Sequence, residues 1–263
     1  MKLERCAIRA FGALAASAFI GATLAAAPAS AAVTNISSSS TILDVALKVG
    51  GTPVNVGPEY PASGSAPPAY NANNSFASFS DSFNTPLGQF SFSTGVLADT
   101  ASGDIATAEG AASSSLASLN ISGPLFQITA SAISSEASVD GTPSADGSST
   151  LADLTITIAG SSINIPLDPS PNDVIFDDFG VKVTLNEQLH QVEGGFGEGI
   201  RVNAIAVDID KFFGVSGHID IAQSEASISE AAVPEPSTWA MMAMGFVGLA
   251  FAYRRGRKVA TIG

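Results

Sequence analysis

The stretch Ala204-Ile205-Ala206-Val207-Asp208-Ile209 indicates the fold class, because its large apolar side chains fall at every second position. Successive side chains of a β-strand point to opposite faces, so this period places the three large residues on one face. The same alternation recurs at residues 155–158, 181–185 and 219–221. One packed face and one wet face are typical of antiparallel sheets. These stretches therefore predict an antiparallel β structure.

Strand spacing predicts how these sheets are arranged. Residues 41–49 also alternate, and Gly50-Gly51 separates them from Val54–Val56, which predicts a hairpin. Residues 57–74 are rich in Pro, Gly, Ser and Asn and predict a loop. With strand signals about every ten residues and no helical period between the two ends, we expect a β-sandwich. We assign residues 32–103 to an N-terminal β and loop region of that sandwich, and residues 104–230 to a more regular β-domain.

Two short stretches of the regular region return later in the chain. Residues 113–121 resemble residues 148–156, with six of nine positions identical, and residues 135–139 resemble residues 224–228. Two weak copies are too few for a solenoid. The echoes instead predict strands in equivalent environments within one sheet system.

Five phenylalanines follow the predicted loop, at positions 76, 79, 83, 90 and 92. A cluster of aromatic rings can line a ligand groove. In a chain with only 7% aromatic residues, such a cluster more often belongs to the core. We therefore expect these rings to be packed inside the sandwich.

The first 31 residues have the organisation of a secretory signal peptide. Three basic residues precede an Ala-rich apolar stretch, which ends at Pro28 and the small-residue sequence Ala29-Ser30-Ala31. This order is typical of a signal helix followed by a cleavage site. We predict cleavage after Ala31, with Ala29 and Ala31 at the recognition positions; an uncleaved N-terminal anchor is the alternative.

The C-terminus combines an apolar run with a basic cluster. No charge occurs from Trp239 to Tyr253, and Arg254, Arg255, Arg257 and Lys258 follow directly. Residues 238–253 are predicted to form a single transmembrane helix, short for a typical bilayer but extended by flanking arginines that reach the interface. By the positive-inside rule the basic cluster stops the helix on the cytoplasmic side. A buried core helix is the alternative.

Just before this run stands Pro234-Glu235-Pro236, followed two residues later by Trp239-Ala240. The order of motif, apolar helix and Arg-rich tail resembles the PEP-CTERM sorting signal over about 25 residues. The resemblance implies an exported substrate of exosortase, a membrane protease or transpeptidase that cuts near the motif. It implies anchoring in the inner membrane facing the periplasm, and then transfer to the cell surface or to an exopolysaccharide matrix.

The predicted β-domain carries a second resemblance. Residues 147–156, 183–188, 202–205 and 224–228 resemble the choice-of-anchor P family of bacterial surface proteins, across roughly residues 105–230. The resemblance implies the same ectodomain fold, and it assigns no catalytic residues.

Charge and composition limit the chemistry. Residues 33–233 hold four basic and 22 acidic residues, a formal net charge of −18, which repels nucleic acid. The only cysteine, Cys6, lies in the leader, which excludes disulfides and thiol chemistry from the mature chain. Neither histidine has a partner at metal-ligand spacing, and we predict no cofactor. Asp173, Asp177 and Asp178 are weak calcium candidates, with a solvated acidic surface as the alternative.

These observations support three functions to different degrees. The leading prediction is a surface or matrix protein that is not an enzyme. A carbohydrate- or calcium-binding adhesive module is the alternative, based on the clustered acidic residues. A hydrolase acting through paired carboxylates is the third reading, and it requires a cleft lined by two such groups.

Overall fold

The computed structural model describes residues 32–57, 61–85, 87–123, 126–141, 144–163, 165, 168–191, 197–231, 242–250 and 253. Residues 33–230 form one compact unit, called here the β-body. Its described residues form antiparallel strands in two sheets, which confirms the all-β class.

Sheet A contains the first and last strands of the β-body. Its order is β13-β14-β15-β16-β1-β2, and β3 also pairs with β1. The strands are β1 (Val33–Val49), β2 (Thr52–Val56), β3 (Ala62–Ala66), β13 (Asp173–Asp178), β14 (Val181–Gln191), β15 (Gly197–Phe212) and β16 (Val215–Glu230). The Val45–Val49 and Thr52–Val56 pairing confirms the predicted hairpin.

Sheet B contains the strands between these two groups. β9 pairs with β8 on one side and with β10 and β11 on the other, and β8 pairs with both β6 and β7. The strands are β4 (Tyr70–Phe76), β5 (Phe79–Thr85), β6 (Gly88–Thr94), β7 (Leu97–Asp104), β8 (Glu109–Ser122), β9 (Phe126–Val139), β10 (Ala145–Ala152), β11 (Thr155–Ile158) and β12 (Ser161–Ile163).

The inner faces of the two sheets enclose two apolar clusters. The larger contains Phe90, Phe92 and Ile205 and lies towards the start of β16, the end called distal here. The smaller contains Ile36 and Ile228 and lies towards Glu230, the proximal end. Phe79 and Phe83 pack against the larger cluster, whereas Phe76 is 46% exposed. The core prediction thus holds for four of the five phenylalanines.

Between the clusters lies a layer of buried polar residues. Ser40 and Ser224 face it from sheet A, and Asp99, Ser114 and Ser135 face it from sheet B, all at most 1% exposed. Ser135 Oγ and Ser224 Oγ are 2.6 Å apart and hydrogen-bond across the two sheets. The layer thus adds a hydroxyl–hydroxyl hydrogen bond between the sheets to the apolar contacts of the two clusters.

The strand register explains both sequence echoes. Ser114 of β8 and Ser149 of β10, equivalent in the first echo, both pair with Ser135 of β9. This confirms equivalent environments within one sheet. In the second echo Ser135 and Ser224 are themselves equivalent, but they lie in opposite sheets and hydrogen-bond to each other.

Removing the Ser135 hydroxyl is expected to cost about 1 kcal/mol of unfolding free energy, since a buried hydrogen bond is lost. Ser224→Ala removes this bond and also the one that Ser224 Oγ donates to the Ser135 carbonyl at 3.1 Å, so the double variant should cost less than the sum of the two single variants. Denaturant unfolding of the two single variants and the double variant measures this coupling. Ser138→Ala, an exposed serine on the same strand, serves as the control. Fully additive effects would contradict a shared bond.

Two expectations about the N-terminal part need correction. Residues 57–74 contain β3 and the start of β4, because short strands of Ser, Gly and Asn pair with Ser-rich neighbours. β1 begins at Val33, eight residues before the predicted strand. Strands from residues 32–103 and from residues 104–230 occur together in each of the two sheets.

Outside the β-body, residues 242–250 are helical and exposed. They form the middle of the predicted span 238–253, of which residues 238–241, 251 and 252 lie outside the described residues. Among the helices that the structure describes, none has the length and apolar character needed to cross a membrane. The predicted signal peptide, residues 1–31, lies outside the described residues.

Candidate functional site

A cleft of about 600 Å³ lies at the distal end of sheet A. Its charged or titratable lining residues are Asp177, Lys182, Asp208, Asp210 and His218. Lys182 pairs with Asp177 on one neighbouring strand and with Asp208 on the other, and Asp208 pairs with His218. Side chains at paired positions lie about 5 Å apart. Strands β13 to β16 thus place Asp177, Lys182, Asp208 and His218 in one row across the sheet. This cleft is called the distal cleft here.

Asp220 lies beside this row, two residues beyond His218 on the same face of β16. Burial raises the pKa of Asp220 to about 6; His218 lowers it, and the negative charges of Glu187, Asp44 and Asp208 raise it. The face therefore holds a carboxyl group that exchanges its proton closer to neutral pH than an ordinary aspartate.

Amide side chains fix the position of Glu187, one of the carboxylates whose charge acts on Asp220. Asn203 Nδ2 donates to Glu187 Oε2 at 2.8 Å, and Gln223 Nε2 donates to Asn203 Oδ1 at 3.0 Å. The chain of bonds crosses β14, β15 and β16, so the Glu187 carboxylate is held by the rigid sheet. A pre-positioned set of acceptors is suited to binding hydroxyl or cationic groups.

A second cleft, of about 640 Å³, lies at the proximal end of sheet B. It is lined by Tyr70 and by Asp104, Glu109, Asp140 and Asp146. Tyr70 packs its ring over Gly103, where an added Cβ would come within 2.6 Å of the ring. Its hydroxyl hydrogen-bonds to Ser38 Oγ at 2.8 Å. The tyrosine is thus engaged in packing the proximal end.

The structure locates the calcium candidates on β13. Asp173 pairs with Leu185 and Asp178 with Val181, while Asp177 lines the distal cleft. Within the described part of the chain, no three or more His, Cys, Asp or Glu side chains form a group that could hold a metal ion. The calcium hypothesis stays a prediction.

The residues of the sorting segment lie outside the described residues. These are Pro234, Glu235, Pro236, Trp239 and Ala240 of the motif and the basic residues Arg254, Arg255, Arg257 and Lys258; the predicted cleavage residues Ala29 and Ala31 of the leader lie outside the described residues as well. Sequence comparison bears on the sorting segment, and the roles of Ala29 and Ala31 stay predictions.

Sequence reasoning missed several features of the distal end. The pairing of Asp208 with His218 depends on strand register, for which the sequence has no local signal. The turns that hold Phe179 and Phe213, both strongly exposed, do have a local sequence signal. Each phenylalanine is followed by Gly-Val, and a glycine between two alternating stretches is typical of a tight hairpin turn.

Comparison with known proteins bears on the C-terminus. The model of the PEP-CTERM protein-sorting motif matches residues 232–258. Neither the curated proteins nor the solved structures include a match to this chain. The match confirms the PEP-CTERM resemblance. The resemblance to the choice-of-anchor P family stays a prediction. The C-terminus carries a PEP-CTERM sorting motif, which implies export, membrane anchoring before sorting, and processing by an exosortase-type membrane enzyme.

Proposed function

We propose that the chain is an exported cell-surface or exopolysaccharide-matrix protein whose β-body has a binding role and no catalytic one. The sorting motif at residues 232–258 is the observation that carries this proposal. According to this proposal, the leader is removed after Ala31, residues 238–253 cross the inner membrane, and the β-body faces the periplasm. An exosortase-type enzyme then cuts near the motif and releases the β-body to the surface or matrix.

Several properties of the chain support this sequence of events. Four basic residues follow the apolar run at once, which favours a cytoplasmic end. Pro234 and Pro236 disfavour a helix at the motif and favour an extended backbone, which a processing enzyme can bind. The β-body contains no cysteine, so its folding outside the cytoplasm needs no disulfide. The resemblance of residues 105–230 to the choice-of-anchor P family agrees with a surface role.

Changing Glu235 and Pro236 to alanine is expected to abolish processing, because both belong to the recognised motif. The full chain, tagged within the β-body, would be followed by mass spectrometry and cell fractionation. In cells with an exosortase we expect a shortened, released product from the unchanged chain and an intact, membrane-bound product from the double variant.

Ser237→Ala is the matched control, since this position separates the two halves of the motif and is not one of its defining residues. It should be processed like the unchanged chain. Cells lacking the exosortase should retain every version intact in the membrane. An unchanged product mass and location on deleting that enzyme would overturn the proposed route.

A further inference from the structure

Two phenylalanines at the distal end of sheet A are directed at solvent. Phe179 is 68% exposed in the turn between β13 and β14, and Phe213 is 66% exposed in the turn between β15 and β16. They are more exposed than any other large apolar residue described in the β-body. Isolated apolar residues on a surface are common, but two on neighbouring turns beside a cleft favour a contact surface.

Both rings are placed where the backbone disfavours them. Phe179 has φ 53° and Phe213 has φ 45°, and the glycines that follow have φ 77° and 82°. Two consecutive positive φ values form the type I′ turn, whose first position prefers Asn, Asp or Gly. A bulky residue there is strained. The same unfavourable choice at two neighbouring turns indicates that the rings have a use other than turn formation.

The two turns are tied to the sheet and to each other. Asp210 N donates to Gly180 O at 2.6 Å, which joins one turn to the strand before the other. Gly50 N donates to Gly214 O at 2.9 Å. The turns are separated by two strand spacings, roughly 10 Å. The rings therefore occupy rigid, adjacent positions, as an aromatic contact surface requires.

Charges near the rings limit what can bind there. Lys182 and Lys211 each lie two residues from one of these turns, and Lys48 lies two residues from Gly50, which bonds to Gly214; these are all the lysines of the β-body. Asp177, Asp178, Asp208 and Asp210 lie among them. The mixture is close to neutral, while the β-body as a whole is strongly acidic. An anionic bilayer, which requires a basic cluster, is therefore disfavoured.

The distal turns lie at the opposite end of β16 from Glu230, after which the chain continues to the sorting motif. β16 has 16 residues, a length of roughly 50 Å. The surface formed by Phe179 and Phe213 is therefore well separated from the point where the chain leads to its anchor. This separation suits a ligand other than the anchoring membrane.

We propose that Phe179, Phe213 and the distal cleft bind a polysaccharide chain. The faces of sugar rings present C–H groups that pack against aromatic rings, and their hydroxyls hydrogen-bond to carboxylates and amines. The distal end supplies both kinds of group on one rigid surface. The proposal rests on the proposed export of the β-body, which places it among such polymers, but its test requires no processing.

The test uses the full chain, held in lipid nanodiscs on a sensor surface. The probes are exopolysaccharide extracted from the producing cells and a soluble β-1,4-glucan. The double variant Phe179→Asn/Phe213→Asn should bind at least one of these probes about tenfold more weakly than the unchanged chain, or not at all. Because Asn is favoured at these turn positions, the melting temperature of the double variant should equal that of the unchanged chain or exceed it by a few degrees.

Ala159→Asn is the matched control, because Ala159 and Gly160 form a turn of the same kind, with φ 49° and 82°, between β11 and β12. It should show a similar change in melting temperature and unchanged binding. Equal binding by the unchanged chain and the double variant, or no binding of either probe, would overturn the proposal. A different partner would also overturn it. This would be the outcome if the captured chain retained phosphatidylglycerol vesicles, or a second copy of the chain, only when both rings are present, while its polysaccharide binding did not depend on the rings.

Discussion

Replacing Gly217 with alanine is expected to lower the free energy of unfolding by about 3 kcal/mol or more. Gly217 has φ 132° on β16, in a region that residues with a side chain rarely adopt. An added Cβ would also collide with the carbonyl oxygen of Ala46 and lie 2.9 Å from the Cα of Leu47. These atoms are backbone of the adjacent strand β1, so relief requires two neighbouring inner strands of sheet A to separate.

Gly214→Ala is the matched comparison. Gly214 also has positive φ, 82°, but nothing lies within 4 Å of an added Cβ. Backbone strain alone should cost about 1–2 kcal/mol. Denaturant unfolding of both variants separates the strain common to them from the collision found only at Gly217. If the two variants were equally stable, the close approach of β16 to β1 at this position would be wrong.

Changing Asp99 to asparagine is expected to raise the free energy of unfolding at pH 8 by about 1–3 kcal/mol. Asp99 is fully buried in the polar layer, and neither carboxylate oxygen has a hydrogen-bond partner among the described residues. Ser114 and Ser40 lie close by, but their hydroxyls donate to the carbonyls of Thr41 and Thr100. An ionised group without partners is costly to bury, and the neutral amide removes that cost.

The effect should depend on pH in a defined direction. Burial raises the pKa of Asp99 from 3.8 to about 6. The nearby Ser114 and Ser40 hydroxyls lower the pKa but offset the increase only in part, because both donate to backbone carbonyls instead of to the carboxylate. A carboxyl group with a raised folded-state pKa destabilises the fold fully above pH 6, and this penalty vanishes below about pH 4. The stability of the unchanged chain should therefore fall as pH rises from about 4 to 6. Asp220, whose pKa is also raised to about 6, contributes in the same direction, so the variant keeps part of this slope.

Urea unfolding at pH 4 and pH 8 measures both the gain and its pH dependence. Asp146→Asn, an exposed aspartate of β10, controls for the loss of one negative charge from an acidic protein. The gain of Asp99→Asn should be large at pH 8 and should shrink at pH 4. A variant less stable than the unchanged chain at pH 8 would show that the ionised form is stabilised inside the polar layer.

Periodic apolar stretches made much of the fold predictable. Val183 and Leu185, or Ile219 and Ile221, carry a period-two signal strong enough to assign strands without knowing their partners. Strands β3, β4 and the first half of β1 were missed because Ser, Gly and Ala occupy most of their inward positions, and the isolated Ile36 and Tyr70 give no period-two apolar signal. Such small residues resemble a loop in composition, and only pairing with neighbouring strands buries them.

The candidate site was less predictable than the fold. Asp177 is far from Asp208 and His218 along the chain, and the sequence alone does not determine that their two hairpins lie side by side. Asp208 and His218 lie on one hairpin, but their pairing depends on its exact register. Asp99 was overlooked because an isolated aspartate in a Ser- and Ala-rich stretch looks like a surface residue. The sorting motif was recognised directly, because its signal consists of residue identities at fixed spacing and needs no tertiary structure.

The position of β16 between β1 and β15 also has a mechanical consequence. While the chain is still unprocessed, a ligand held at the Val215 end and the anchor that follows Glu230 would pull along the axis of this strand. Its backbone hydrogen bonds to both neighbours lie across that axis. They are therefore loaded together in shear, and tension cannot open them one at a time as it would in unzipping. The arrangement suits a β-body that stays folded while a load acts between its ligand and its anchor.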